Sequence, residues 1–150
     1  MEVETLAELA NHVGQRVEPS DWVLIDQKMV DAFADVTGDH NWFHVDVERA
    51  SRELPGGTTM AHGMLTLSLV PGLAAGMLTI GDQRRTLNYG LNKVRFPAPV
   101  PVGSRVRLHM TIAGVEKAHG GVLVRRDYTM ELEGAEKPVM VAEMLSLVYA

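Results

Sequence analysis

The run Gly63–Gly76, GMLTLSLVPGLAAG, decides the fold. Its leucines, valine and methionine fall at nearly every angle around a helix, so no face is left for water and the element must be covered on all sides. The longer apolar run Met64–Leu78 is too short to span a bilayer and is interrupted by Pro71, Gly72 and Gly76, so it reads as a buried helix at the centre of a domain. Pro71 has no N–H to donate and its ring clashes one turn back, which predicts a kink or a broken second half.

C-terminal to this run the period changes from helical to alternating. Leu87, Tyr89 and Leu91 share one parity and Val94 and Phe96 the other, which predicts a strand that bends or bulges near Asn92. Pro97, Pro99 and Pro101 make an extended connector. Val106, Leu108, Met110 and Ile112 then alternate with Arg105, Arg107, His109 and Thr111, the pattern of a half-buried strand. Two more strands follow over Val122–Glu133 and Val139–Tyr149, with turns at Ala118–Gly121 and Gly134–Pro138. The last strand is apolar on both parities except at Glu143, and Arg126 is the matching exception on its neighbour. Pairing the two about Ala135 predicts an Arg126–Glu143 ion pair. A covered helix followed by long antiparallel strands gives an α+β fold, an antiparallel sheet wrapped around a central hydrophobic helix.

On the N-terminal side, Thr5 is placed to cap a short helix that ends near Gly14, and Trp22–Ile25 reads as a short strand. Asp26 is a second N-cap, Met29, Val30, Phe33, Ala34 and Thr37 form one stripe, and Gly38 stops that helix. Val45–Leu54 has helical character around Glu48–Ser51 and ends at Pro55, Gly56 and Gly57. With 150 residues, 46% hydrophobic and 22% charged, the chain has the size and balance of one globular domain over residues 1–150, without repeat or linker. It has no cysteine, which excludes disulfides, thiolate zinc sites and a cysteine nucleophile. A net charge of −5 without a basic run speaks against nucleic acid or an anionic membrane as partner. The opening residues lack the charged and apolar regions of a secretory signal, so cytoplasmic residence is expected.

The most chemically loaded stretch is Ala34–His44, ADVTGDHNWFH. Asp39 and His44 are five residues apart, about 140° round a helix axis and on opposite faces of a strand, so regular structure would separate them. Gly38, Asp39 and Asn41 leave regular structure readily, and an irregular segment can turn carboxylate and imidazole onto one small space. His40 and His44 have the i, i+4 spacing of metal ligands, but no glutamate follows His40 and no third ligand is evident, so no metal is expected. His12, His109 and His119 read as surface or turn residues. Gly56 and Gly57 do not make a phosphate loop.

TGDHNWFHVDVERA (Thr37–Ala50) followed by AHGML (Ala61–Leu65) resembles the paired signature of the MaoC-like, or hydratase 2, family of hot-dog proteins, whose pattern is close to GDxNPxHxD and then HGM. YGLNKVRFPAPVPVGSRV (Tyr89–Val106) resembles the strands that follow the family's central helix. The resemblance implies reversible, (R)-specific hydration of a trans-2-enoyl thioester, usually carried on coenzyme A. That reaction needs a base for the water, a proton for the adjacent carbon, and stabilisation of an enolate-like oxygen. Asp39 matches the family's acid and would be the base; His44 would hold the same water and return the proton, the division of labour being left open. Asn41 orients the pair. Gly63 would donate its backbone N–H to the oxyanion at the positive end of the helix, and glycine lets the thioester come close. His62, beside the substrate, fixes the local turn rather than moving a proton.

The resemblance further implies no cofactor beyond the coenzyme A of the substrate, a homodimer formed through sheet edges, and basic residues for the phosphates, for which Lys93, Arg95, Arg84 and Arg85 are candidates. Met64, Leu65, Leu67 and Leu69 are core residues, some of which also line an acyl site. The chain departs from the pattern at Trp42 and Phe43, where the family has proline and an aliphatic residue; these rings either pack under the turn or line the acyl site. A second departure is Pro71, eight residues after Gly63, where short-chain members often carry serine. The combination is similar to the small NodN-like branch. Two other readings are a hot-dog acyl-CoA thioesterase, which would release free thiol, and a non-catalytic acyl-thioester-binding subunit, which would bind without turnover.

Overall fold

The computed structural model describes all 150 residues. After a two-residue strand β1 (Glu2–Val3), the first predicted helix is a 3-10 turn over Glu8–His12 rather than an α-helix. Thr5 Oγ1 accepts from the Glu8 N–H at 3.4 Å, but only Leu6 and Leu9 offer a face to bury, and Gly14 (φ 87°) ends the segment within two turns. Strands β2 (Arg16–Val17) and β3 (Val23–Leu24) lead into α1 (Gln27–Thr37). Asp26 Oδ1 accepts from the Met29 N–H at 2.8 Å, and Gly38 stops α1 with φ 78°, the left-handed conformation that glycine adopts without strain. Two short helices, α2 (Trp42–Val45) and α3 (Val47–Glu53), share the boundary residue Asp46, whose side chain caps α3.

The central run forms α4 (Gly63–Ser68) and α5 (Val70–Ala75). The break falls at Leu69, two residues before Pro71, where the missing N–H would have bonded Leu67. Val70 is 1% exposed and Leu65 and Leu67 are buried, whereas Met64 is exposed. The helix is thus covered along one side only: Met64, Ser68, Pro71, Gly72 and Ala75 stay exposed, so the all-round cover that its apolarity predicts is not found.

The sheet that holds it has six strands. β4 (Thr79–Ile80) pairs only with β1, in parallel, and β5 (Arg85–Arg95), β6 (Arg105–Ala118), β7 (Gly121–Leu132) and β8 (Met140–Tyr149) supply the long strands. The order is β2-β6-β7-β8-β5, with β3 beside β2 on the same edge of β6, and all neighbours antiparallel. β5 shifts register between Asn88 and Gly90 and again between Leu91 and Lys93, so the predicted bulge is present and has a second one beside it. Val106, Leu108, Met110 and Ile112 of β6 all point inward and are at most 1% exposed. Each such side chain contributes roughly 1.5–3 kcal/mol of transfer free energy. With Met130, Met140 and Val30, residues Val106, Leu108 and Met110 build the core between helix and sheet, the arrangement expected of a hot-dog domain, while Ile112 packs in a second cluster with Leu6, Leu9 and Val148. No helix is long and apolar enough to cross a membrane.

The Arg126–Glu143 pair does not form. β7 and β8 pair with Met130 opposite Met140, which sets Arg126 against Met144 and Glu143 against Asp127. The expected register was one residue off, and in a strand one residue exchanges faces. Glu143 lies on the outer face, where Asn92 donates to it at 2.5 Å and Arg125 stands 3.9 Å away. Arg126 turns inward and is buried. His109 lies on the outer face of β6, partly covered, between Glu131 at 2.5 Å and Arg16 at 2.6 Å.

Candidate active site

Gly38 ends α1 and frees residues 38–41 from regular structure, and α2 then turns His44 inward. Asp39 stays exposed while His44 is 6% exposed. Asn41 fixes the carboxylate: its side-chain amide donates to Asp39 Oδ1 at 2.6 Å and its backbone N–H reaches the same oxygen at 3.4 Å. Partial desolvation raises the Asp39 pKa, but the two Asn41 hydrogen bonds and the nearby His44 and His62 rings outweigh it, so the carboxyl sits below its ordinary value. The supporting role expected of Asn41 therefore has a geometry.

His44 Nδ1–H donates to the Met60 carbonyl at 2.6 Å, which leaves Nε2 without a proton in the neutral ring. Burial pushes the His44 pKa down; the Met60 bond and the Asp39 charge oppose that but do not cancel it. His62 comes from the residue before α4. Its Nε2–H donates to the Asp39 carbonyl at 2.9 Å, and its ring stacks on His44 with centroids 3.7 Å apart. One nitrogen or oxygen from each of Asp39, His44 and His62 lies within 4.8 Å of the others, a spacing that could hold a cation. Two rings only 25° from parallel, however, aim their in-plane lone pairs side by side rather than at one point, which suits packing better than tetrahedral ligation. His40 points away and bonds Asp35 at 2.9 Å.

Gly63 opens α4 beside this cluster, and its N–H, first in the helix, has no backbone acceptor. The Phe96 ring packs close to it: a Cβ there would stand 3.0–3.2 Å from three ring carbons and press the ring aside. His44, Gly63, Thr66 and Phe96 line a common cavity of about 280 Å³. Trp42 and Phe43 do not. Trp42 lies beneath the Arg49 guanidinium at 4.0 Å, and Phe43 packs edge-on between Trp42 and His44, so both rings support the turn. Lys93 and Arg95 stand exposed on β5 and are not among the residues that line that cavity, and the Arg95 side chain donates to the Val94 carbonyl.

Sequence reasoning missed Gln27. Its amide donates to the His44 carbonyl at 2.8 Å and accepts from Thr59 at 2.5 Å, tying α1 to the helix that carries the imidazole. It also missed the Met60 carbonyl, a backbone group that no side-chain motif reports.

Residues 8–133 match the family described as MaoC like domain. The chain is 52% identical over 143 residues to 3-hydroxyacyl-thioester dehydratase Z of Mycobacterium tuberculosis (strain CDC 1551 / Oshkosh), covering 95% of this chain and 94% of that one. It is 40% identical to Nodulation protein N of Rhizobium leguminosarum bv. viciae, over 96% of this chain and 91% of the relative. Among solved structures it is similar to R-Hydratase PhaJ1 from Pseudomonas aeruginosa, with a TM-score of 0.76 and 27% identity over 97% of this chain and 85% of that one. A family match over most of its length and a relative at 52% identity, aligned almost end to end, lead to one conclusion: the chain belongs to the MaoC-like domain family.

Proposed function

We propose that the protein is a hydro-lyase that reversibly adds water to a trans-2-enoyl-CoA to give an (R)-3-hydroxyacyl-CoA. The observation that carries this is the protonation pattern of the pair. His44 spends its only N–H on Met60, so Nε2 is a bare acceptor, and Asp39 is held ionised beside it. One ligand atom of the His44 ring and one carboxylate oxygen of Asp39 lie within 4.8 Å of each other, close enough for a single water to bridge the two side chains.

The chemistry follows from that arrangement. The water oxygen bonds to C3 as one of its protons passes to the Asp39–His44 pair, and the π electrons move toward the thioester oxygen. The Gly63 N–H receives the developing charge, a role that costs no rearrangement because the group is already unpaired. The proton then passes from the pair to C2. Since neither resting group carries a proton to give, the hydrogen that reaches C2 originates in the same water. Nothing is oxidised or reduced, so no cofactor beyond the coenzyme A of the substrate is required. The names of the relatives, a 3-hydroxyacyl-thioester dehydratase and an R-hydratase, support the substrate class and the stereochemistry.

Strand β5 has an unpaired edge and exposes Leu87, Tyr89 and Leu91, at 49%, 51% and 45%. An exposed apolar edge is a pairing surface, and a homodimer joined through β5 covers it. Lys93, Arg95, Arg84 and Arg85 on or beside this strand are then available to the phosphates of coenzyme A, as expected of a cytoplasmic enzyme using that carrier. The test is spectroscopic: a series of trans-2-enoyl-CoA substrates loses its conjugated absorbance with the protein present, and chiral analysis finds the (R) product. Release of free thiol would assign a thioesterase instead, and binding without turnover a non-catalytic subunit.

A further inference from the structure

The inward face of β7 reads Val124, Arg126, Tyr128 and Met130, and Arg126 is its one charged member. The residue is 8% exposed and takes part in none of the ion pairs of the molecule. Tyr128 is its polar neighbour. A buried guanidinium without a carboxylate is costly to keep, because its hydration is lost and no opposite charge replaces it.

Arg126 lines a cavity of about 240 Å³ between α5 and the sheet. The walls differ in character. Val70 and Ala74 make an apolar wall on the helix side, while Gln83, Asn88 and Ser146, with amide and hydroxyl side chains, line the same cavity as the guanidinium. Leu69, between α4 and α5, keeps helical dihedrals (φ −74°, ψ −21°), so the two helices run on nearly as one: Gly63 and Thr66 line the cavity at His44, and Val70 and Ala74 line the cavity at Arg126 on the same side. From Gly63 to Ala74 the axial rise is roughly 16 Å, the reach of a medium-length acyl chain in extended form.

We infer that the Arg126 cavity receives a carboxylate at the far end of the acyl chain, so that the preferred substrates are ω-carboxy-2-enoyl thioesters. The planar fork of arginine matches a carboxylate with two parallel hydrogen bonds, and the amides and hydroxyl take the remaining lone pairs. The apolar wall covers the methylenes that lead to it. This inference rests on the hydratase reading for the other end of the chain.

The experiment compares two trans-2-enoyl-CoA substrates of equal medium length, one ending in methyl and one in carboxylate, with wild type, Arg126→Met and Arg126→Lys. Wild type favours the carboxylate-ended substrate in kcat/KM by roughly ten- to a hundredfold, the worth of a charge-assisted pair. Arg126→Met reverses that preference and keeps the methyl-ended substrate, and Arg126→Lys, with the charge but not the fork, retains part of it. Calorimetric binding of the saturated pair of CoA thioesters gives the same order without turnover. Equal treatment of the two chain ends by wild type overturns the inference, as it would if a carboxylate of a second copy sat against Arg126. Turnover of the methyl-ended substrate in that case leaves the hydratase reading standing. Turnover of neither removes the hydratase reading, and the calorimetric preference then decides the role of Arg126: tighter carboxylate binding that Arg126→Met abolishes upholds it, and equal binding overturns it. Should Arg126→Met fail to fold, wild type and Arg126→Lys decide alone.

Discussion

The imidazole of His62 lies against that of His44, centroids 3.7 Å apart and planes 25° from parallel, while its Nε2–H holds the Asp39 carbonyl at 2.9 Å. One residue from the foot of the central helix thereby holds both members of the proposed catalytic pair. Its remaining nitrogen, Nδ1, is buried without a hydrogen-bond partner, so the ring is retained for these two contacts at some cost to stability.

His62→Ala removes the bond and the stack together. Chemical denaturation is expected to show a loss of about 2–4 kcal/mol from the cavity and the missing bond. Steady-state kinetics should show kcat lowered roughly ten- to a hundredfold by misplacement of the pair, with KM changed far less. Unchanged kcat would limit His62 to packing.

The pH dependence follows from the directions of the two shifts. In the proposed mechanism Asp39 and His44 both act unprotonated, and the pKa of each is lowered from its ordinary value. Activity should therefore be flat through neutral pH and fall only at pH below the ordinary imidazole range. Stability has the same sign. The unfolded chain takes up a proton at His44 before the folded chain does, so the contribution of this site is intact above the unfolded value near 6.5 and is lost as pH falls through the lower folded one. A pH–kcat/KM profile and a pH series of unfolding midpoints measure the two separately. An acid limb beginning above the ordinary imidazole value would contradict the assigned neutral ring.

At Gly63 an added methyl group would stand 3.0–3.2 Å from the Phe96 ring, so the ring must give by a few tenths of an ångström. Gly63→Ala should displace the ring, lower the melting temperature and reduce kcat/KM by about tenfold or more, within the range of overpacking and misplacement effects. Gly63→Ala with Phe96→Ala keeps the backbone N–H and relieves the clash, so kcat should recover. Failure of the double variant to recover would mean that the close approach of substrate, not of Phe96, requires glycine.

The edge of β5 sets the expected assembly. Leu87→Lys with Leu91→Lys puts charge on a surface that the dimer would bury, and sedimentation should show the dimer weakened while the monomer remains folded. A wild-type protein that sediments as a monomer would exclude the β5 interface.

Much of the fold was legible because its elements carry strong periods. Asp26 and Gly38 bracket α1 to the residue, and the apolarity of Gly63–Gly76 marked the central helix but not the exposed face it keeps at Met64, Ser68, Pro71 and Ala75. Register was not legible. Arg126 and Glu143 were paired by their shared oddness, but a loop of several residues between two strands permits pairings one residue apart, and only the packed core selects the one that buries Met130 and Met140 together. At the site, Asp39, Asn41, His44 and Gly63 could be read because their side chains, or in glycine the lack of one, carry the pattern. Gln27 and the Met60 carbonyl could not. A glutamine in the first turn of a helix is ordinary, and a carbonyl is the same in every residue, so both gain meaning only once α1, α2 and residue 60 are neighbours.

The most direct measurement is the rate at which Asp39→Asn removes the conjugated absorbance of a trans-2-enoyl-CoA that wild type hydrates. Asparagine keeps the size of the side chain but cannot accept the water's proton. The account predicts a loss of about a hundred- to ten-thousandfold in kcat with an unchanged circular dichroism spectrum. Hydration by a folded Asp39→Asn protein at the wild-type rate would contradict it.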